Sequence, residues 1–382
     1  MKKRRIIILG FMASCPVAGV IWQHLHYIVG LKRLGHDVYY IEDYVPYYRQ
    51  SFTCAAATLR SLAEAFGFEN RWAYCARSLT PAQSFGFDLP HVRQLYREAD
   101  AIFNICGAQE VNEDIVNHDR LIMVESDPGV DQLRVDLGDT ARGDFLAHHR
   151  MLFTFGENVG SASFPVPLHD LRWLPTRQPV IIEFWKTESS SAQHDAVFTT
   201  VANWSTRGIK DVKWNGETFT WSKAESFLKF ANAPQAMGQT IELGAEIQDQ
   251  QTIELLLSKG WRLNPNMPSA DRTTYRQFIQ NSLGEFTVAK DVYVRLNTGW
   301  FSDRSACYLA AGRPVVTQET GFTRFYGGHQ GLLSFSNVEE IKEAGAAIRA
   351  DYPAHSRAAY EIAREFFAAE KVLSSLLERA GI

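Results

Sequence analysis

The stretch Leu296–Phe322, LNTGWFSDRSACYLAAGRPVVTQETGF, contains a polar turn, a short apolar helix and a short apolar strand in immediate succession. Thr298-Gly299 is a flexible entry, and Ser302 or Asp303 is a good N-cap for a helix running to about Ala311. Gly312 suits the helix C-cap, Arg313-Pro314 stops the helix, and Val315-Val316-Thr317 starts a strand. The first helical turn offers unpaired N–H groups beside the guanidinium of Arg304 and the hydroxyl of Ser305, a bed suited to a diphosphate. A second polar turn, Gln318-Glu319-Thr320-Gly321, follows the carboxyl end of that strand, where open α/β sheets bind ligands.

Outward from this stretch the chain alternates short apolar runs with helical spacing, the pattern of a parallel sheet covered on both faces. In the first half, strands are predicted at Ile6–Leu9, Val38–Ile41, Trp72–Cys75, Ala101–Cys106, Leu121–Val124 and Met151–Phe155. Helices are predicted from about Ala18 to Arg33, at Cys54–Phe66 and at Val92–Arg97. Val180–Trp185 reads as a further strand, and Lys186–Gln193 (KTESSSAQ) as a polar, Ser-rich linker. The alternation resumes at Val197–Ala202. Asn215-Gly216 between Val212–Trp214 and Thr218–Trp221 signals a hairpin with a type I′ turn. Strands are expected at Thr240–Glu246, Trp261–Leu263 and Val292–Leu296. Helices are expected at Thr252–Ser258, Arg272–Ser282, Val338–Ile348 and Ala358–Ala380. With 382 residues the chain fits two domains. The boundaries read as 1–185, a linker at 186–196, 197–365, and a C-terminal segment at 366–382.

Composition bounds the function. Hydrophobic residues at 46% and charged residues at 21% describe a folded chain, and a net charge of −4 disfavours charge-driven nucleic-acid binding. Cys15, Cys54, Cys75, Cys106 and Cys307 are scattered without a CxxC pair, which points to reduced thiols, no zinc site and a cytoplasmic setting. Lys2–Arg5 followed by IIILGFMASC imitates an export signal, but the same residues complete a βαβ unit as its first strand, and that reading is preferred. No run of ~20 apolar residues is present, so no membrane span is expected.

These residues, together with Pro16–Val20 and Trp22–Tyr27, Gly35–Asp43 (GHDVYYIED), Asp127-Pro128-Gly129, Phe155–Asn158, Phe198–Trp204 (FTTVANW) and Phe286–Lys290 (FTVAK), resemble GT-B fold glycosyltransferases. The resemblance is to bacterial "glycosyltransferase family 1-like" proteins and spans nearly the whole chain. It implies two Rossmann-like doubly wound parallel-sheet domains facing a central cleft, with the C-terminal helix crossing back to the first domain. It implies a metal-independent transferase with no cofactor, using a UDP- or dTDP-type nucleotide-sugar as co-substrate and a small-molecule or glycan acceptor. A monomer or homodimer is expected.

On that basis the donor contacts are expected at Thr298, Gly299, Ser302, Asp303, Arg304, Ser305, Lys290, Thr200 and Asn203, with Gln318, Glu319, Thr320 and Gly321 toward the sugar or ribose. Arg304 is read as a phosphate contact, the alternative being a pair with Asp303 or Glu319. Its replacement by Ala is then expected to reduce turnover and leave the fold intact. Asp127, His24 and Glu157 are the candidate bases. His26, Glu42 and Asp43 are the candidate acceptor contacts, alongside Tyr39, Tyr40, Tyr44, Tyr47, Tyr48 and Trp72. Each has a bland counterpart: Asp127 as a turn-initiating cap, His24 as a core residue on the apolar stripe of Val20, Ile21, Tyr27 and Ile28.

The chain departs from the best-known signatures of that fold. Where retaining members carry two glutamates eight positions apart, it has Gly299 and Cys307, and the inverting His/Glu pair is also missing. Stereochemistry therefore stays open. A nucleotide-sugar epimerase, a two-lobed solute-binding protein and a glycosyltransferase of DNA bases are the competing readings.

Overall fold

A computed structural model describes residues 2–43, 50–187, 196–205, 211–327 and 330–382. Tyr44, Tyr47 and Tyr48, and residues 188–195 of the expected linker, lie outside the described residues. The chain divides into two compact units. The first comprises Met1–Phe155, Pro167–Ile181 and Ala369–Ile382, and the second Gly156–Val166 and Ile182–Ala368.

In the first unit the chain runs β1 (Arg5–Leu9), α1 (Ala18–Arg33), β2 (Asp37–Glu42), α2 (Phe52–Phe66), β3 (Trp72–Ala76), β4 (Gln83–Gly86) and α3 (Leu89–Glu98). It continues through β5 (Ala101–Ile105), β6 (Leu121–Glu125), α4 (Val130–Asp136), α5 (Thr140–Ala147), β7 (Met151–Thr154) and β8 (Trp173–Pro175). The sheet order is β4-β3-β2-β1-β5-β6-β7-β8, parallel throughout except for the β3–β4 pair. β5 and β6 are buried along their whole length, which is why AIFNI and LIMVE read as continuous apolar runs instead of alternating ones.

The second unit contains β9 (Phe198–Val201), the hairpin β10 (Val212–Trp214) and β11 (Glu217–Phe219), α6 (Ala224–Lys229), α7 (Ala233–Met237), β12 (Ile241–Gly244), α8 (Gln250–Ser258), β13 (Trp261–Leu263) and α9 (Arg272–Gln280). There follow β14 (Gly284–Thr287), α10 (Asp291–Arg295), α11 (Asp303–Ala310), β15 (Val315–Gln318), α12 (Thr323–Tyr326), β16 (Leu332–Phe335), α13 (Val338–Ala350) and α14 (Tyr352–Ile362). Its sheet, β13-β12-β9-β14-β15-β16, is all parallel. Phe198, Phe227, Trp261, Phe286 and Phe335 anchor its core, with the rings of Phe286 and Phe335 stacked at 5.1 Å. The hairpin turns at Asn215 and Gly216 with φ of 49° and 79°, the left-handed pair that an Asn-Gly type I′ turn requires.

The last helix, α15 (Ala369–Arg379), belongs to the first unit and packs on α1. Gly30 makes the contact possible, since a Cβ there would sit 2.5 Å from Leu373 and 3.1 Å from Ala369. Arg33 and Glu370 close the edge at 3.2 Å.

Three expectations are corrected. Val180–Trp185 is not a strand: the Val180 carbonyl accepts from Ala369 and the Ile181 N–H donates to His26, so a short 3₁₀ turn at Ile182–Phe184 follows. Val292–Leu296 is largely the helix α10, because the Lys290 carbonyl captures the Tyr293 and Val294 N–H groups; the strand of this region is β14. Ala358–Ala380 is two helices parted by a π-helical turn at Ala363–Phe367 and an extended Ala368, a turn that brings Phe367 onto Phe301 at 5.3 Å. No described helix is long and apolar enough to cross a membrane.

Candidate functional site

The carboxyl end of the second sheet is organised around α11. Ser302 is extended (φ −83°, ψ 138°) and makes no side-chain cap, and the first turn closes with a bond from Ala306 N–H to the Ser302 carbonyl. The first-turn N–H groups therefore have no intrahelical acceptor and point out of the helix with the positive end of its dipole. Two hydroxyls at this end, Ser305 Oγ and Thr200 Oγ1, are buried without a partner among the described residues, both in residues of zero exposure.

Arg304, by contrast, is held by three bonds within the protein. Its Nε donates to Glu285 at 2.5 Å, Nη1 to the Val201 carbonyl at 2.7 Å and Nη2 to Thr287 Oγ1 at 2.8 Å. The partner is neither Asp303 nor Glu319 but a fully buried carboxylate on β14, invisible in sequence because it lies 19 positions away. The guanidinium fastens α11 to β9 and β14, and Tyr308 adds a 2.6 Å bond to Thr199.

Thr298 and Thr320 are likewise engaged within the protein. Thr298 Oγ1 donates to the Tyr293 carbonyl and Thr320 Oγ1 to the Trp300 carbonyl, and both residues are buried. The Gly299 N–H donates to the Thr320 carbonyl at 2.7 Å, so this turn is a splice between two loops, not an open phosphate bed. Asn158 completes the splice: its N–H donates to the Thr298 carbonyl at 3.0 Å and its Nδ2 to that of Asn297 at 3.0 Å. Both glycines are obligatory. At φ 74° and 96° respectively, a Cβ on Gly299 would lie 2.8 Å from Asn158 N, and one on Gly321 2.3 Å from Asn158 Nδ2. Glu157, a candidate base, adjoins this splice in the second unit.

Cations reach the same end by another route. Lys290 Nζ lies 3.7 Å from the centre of the Trp221 ring and 5.2 Å from that of Tyr293. Lys223 Nζ sits 5.6 Å over Trp300, two residues before the α11 cap. Trp221, Tyr293 and Trp300 form one shelf, with ring centroids at 5.9 and 4.5 Å. Lys223 escaped the sequence reading. Its only signal was its place just ahead of α6, in the segment that follows β9 and the hairpin. Asn203 is exposed, Gln318 is buried with its Oε1 accepting from Ala289, and Glu319 Oε1 accepts from Thr320 and Gly321 N–H. Asp303 is half-buried at the first position of α11.

In the first unit most candidates hold the fold. Glu42 is fully buried, accepting from the N–H groups of Ala13 (2.6 Å) and Ser14 (2.9 Å), from Ser14 Oγ and from Tyr40; burial raises its pKa. Asp43 takes both arms of Arg77 at 2.5 and 2.8 Å and the hydroxyl of Tyr96, and burial likewise raises its pKa. His24 has zero exposure and donates through Nδ1 to the Val20 carbonyl at 2.8 Å. This leaves Nε2 without a partner among the described residues, against Gly10 and Tyr40, with burial pushing its pKa down to about 4. His26 Nδ1 accepts from Ile181 at 3.0 Å, and burial lowers its pKa to about 3. His24, His26, Glu42 and Asp43 are thus all buried and bonded within the first unit.

Asp127 remains. It is half-buried just past β6 and accepts from Ser126 at 3.2 Å, and Ser126 shares Cys106 with Gln23. Beneath it Glu125 is buried, held by Thr154 and Gln132, with its pKa raised by burial and then by the Asp131 charge.

No protein-family model matches the sequence, and no curated protein matches it. Solved structures do. An alpha-glucosyltransferase in complex with UDP and a 13-mer DNA containing a HMU base matches over 100% of both chains at 12% identity and a TM-score of 0.59. Anabaena HepE in complex with UDP and glucose matches over 99% of both at 13% identity and 0.57. AviGT4, a glycosyltransferase involved in Avilamycin A biosynthesis, matches over 99% of this chain and 97% of its own at 11% identity and 0.54. Two parallel α/β units in this order, matched from end to end, give this chain the GT-B fold of those glycosyltransferases.

Proposed function

We propose that the chain is a glycosyltransferase that moves a sugar from a nucleoside-diphosphate sugar, a UDP-sugar in the first instance, to a hydroxyl of a small-molecule or glycan acceptor. The observation that carries this reading is the open amino end of α11, flanked by Ser305 and Thr200 with unpartnered hydroxyls and by the lysines of the Trp221–Tyr293–Trp300 shelf. The UDP bound in the similar structures supports it.

In the reaction the bond between the anomeric carbon and the diphosphate oxygen breaks, and negative charge gathers on the leaving group. Donors fixed beforehand stabilise such charge most, because nothing reorganises as it develops. Here α11 N–H groups bind the diphosphate, Lys223 and Lys290 neutralise it, and no metal is required. Glu319 Oε2 accepts from a donor hydroxyl. Asp127 takes the proton of the acceptor hydroxyl.

Calorimetric titration with UDP, dTDP, GDP and ADP, with and without magnesium, tests the reading. One diphosphate binding equally in both conditions supports it, and none binding sinks it. The DNA in one similar structure favours a second reading, transfer to a DNA base. Incubation with UDP-glucose and either a hydroxymethyl-base oligonucleotide or an oligosaccharide separates the two.

A further inference from the structure

The central strands β9 and β14 have two ends with opposite character. Their carboxyl ends, at Val201 and Thr287, hold Arg304 and through it the amino end of α11. At their amino ends a cavity of about 240 Å³ lies between the sheet, α7 and α13, with Phe198, Met237, Leu283 and Ile348 as walls and Gln239 and Arg349 among its lining. Phe198, Met237 and Ile348 are core residues with at most 2% exposure, so the space is framed by rigid packing. Gly345 sets its width. A Cβ there would lie 2.7 Å from the Met237 carbonyl oxygen, so α13 rests directly on the α7 backbone and the gap opens beside that contact.

Its chemistry selects an occupant. The Tyr352 hydroxyl already donates to the Leu283 carbonyl at 2.8 Å and accepts from Arg313 at 3.1 Å. A bound water needs two to four polar partners, which these walls do not offer, and an unfilled gap forfeits dispersion contacts. Arg349 is different. It is an exposed residue of the lining: its Nη1 donates to the Met237 carbonyl, and its remaining N–H groups face solvent, as a charged group at the rim of an apolar cavity does. A planar guanidinium fork with open donors matches a carboxylate. At interior packing density the cavity takes roughly ten carbon-sized atoms.

We propose that this cavity binds a small amphipathic carboxylate, its hydrocarbon body among Phe198, Met237, Leu283 and Ile348 and its head on Arg349. The site is independent of the sugar-transfer reading, since none of these residues belongs to the α11 end.

The test is calorimetric titration of the full chain with octanoate and with octan-1-ol, so a failure of catalysis cannot disguise the result. Octanoate should bind about tenfold or more tightly than the alcohol. Arg349→Gln, which keeps a donor for Met237, should remove that preference while leaving the alcohol's affinity. Gln239→Trp, placed in the lining rather than the core, should weaken both ligands with an unchanged circular dichroism spectrum. Absence of octanoate binding, equal binding of acid and alcohol to the wild type, or octanoate affinity untouched by Arg349→Gln each overturns the proposal.

Discussion

The carboxyl edges of the two sheets use polar residues in opposite ways. In the first unit Glu42, Asp43, His24 and His26 face inward: Glu42 collects four donors, Asp43 a whole guanidinium, and the two histidines stay neutral in the core. In the second unit the loops are spliced just as firmly through Asn158, Thr298 and Thr320, yet the helix they support is left open at its amino end. The difference teaches that a polar side chain in a loop says little until its partners are known. What marks the candidate site is a set of donors and hydroxyls that the fold leaves unused.

The largest effect should come from Arg304→Ala. A phosphate contact would be lost without harm to the fold, whereas removing one side of a buried pair strands Glu285. The substitution should cost roughly 3–5 kcal/mol of stability, read as a lower denaturant midpoint. An unchanged midpoint would place Arg304 with the open donors instead.

Acid should loosen the first unit selectively. Unfolded histidine titrates near 6.5, while folded His24 and His26 titrate near about 4 and about 3 because burial disfavours their charged forms. Their contribution is therefore complete above pH 6.5 and is lost as pH falls toward those values, on the order of 3 kcal/mol for His24 and about 5 kcal/mol for His26. Amide protection, corrected for the intrinsic exchange rate at each pH from 8 to 4, should fall in α1 before α11, and His26→Gln should flatten the dependence. Simultaneous loosening of both helices would remove the contrast.

Lys223→Met keeps the stem under Trp300 and removes the charge. UDP affinity should fall about tenfold, since a charge-assisted contact to the diphosphate is lost. Ser305→Ala should weaken UDP only a few-fold, and an affinity unmoved by either change would shift the site elsewhere.

Much of the fold was legible in the sequence because its signals are local. Ala18–Arg33 and the runs of β1, β3, β5 and β6 carry their periodicity or apolarity within a few residues, and Asn215-Gly216 dictates its own turn. The failures are tertiary. Val292–Leu296 is rich in β-branched residues, yet its N–H groups close a helical turn on the Lys290 carbonyl. The position of α11 was readable from Ser302, Gly312 and Pro314, and its open end followed from helix geometry. Arg304 was not readable, because Glu285, Val201 and Thr287 reach it across the sheet. Lys223 was missed for the same reason: only folding places it over Trp300.

The central claim is that a nucleoside diphosphate sits on the amino end of α11, and amide hydrogen exchange with and without UDP tests it residue by residue. The account predicts slowed exchange at Arg304 and Ser305, whose N–H groups gain an acceptor, and little change at Thr298 and Gly299, which are already bonded to the Tyr293 and Thr320 carbonyls. Bound UDP that leaves Arg304 and Ser305 unprotected would contradict it.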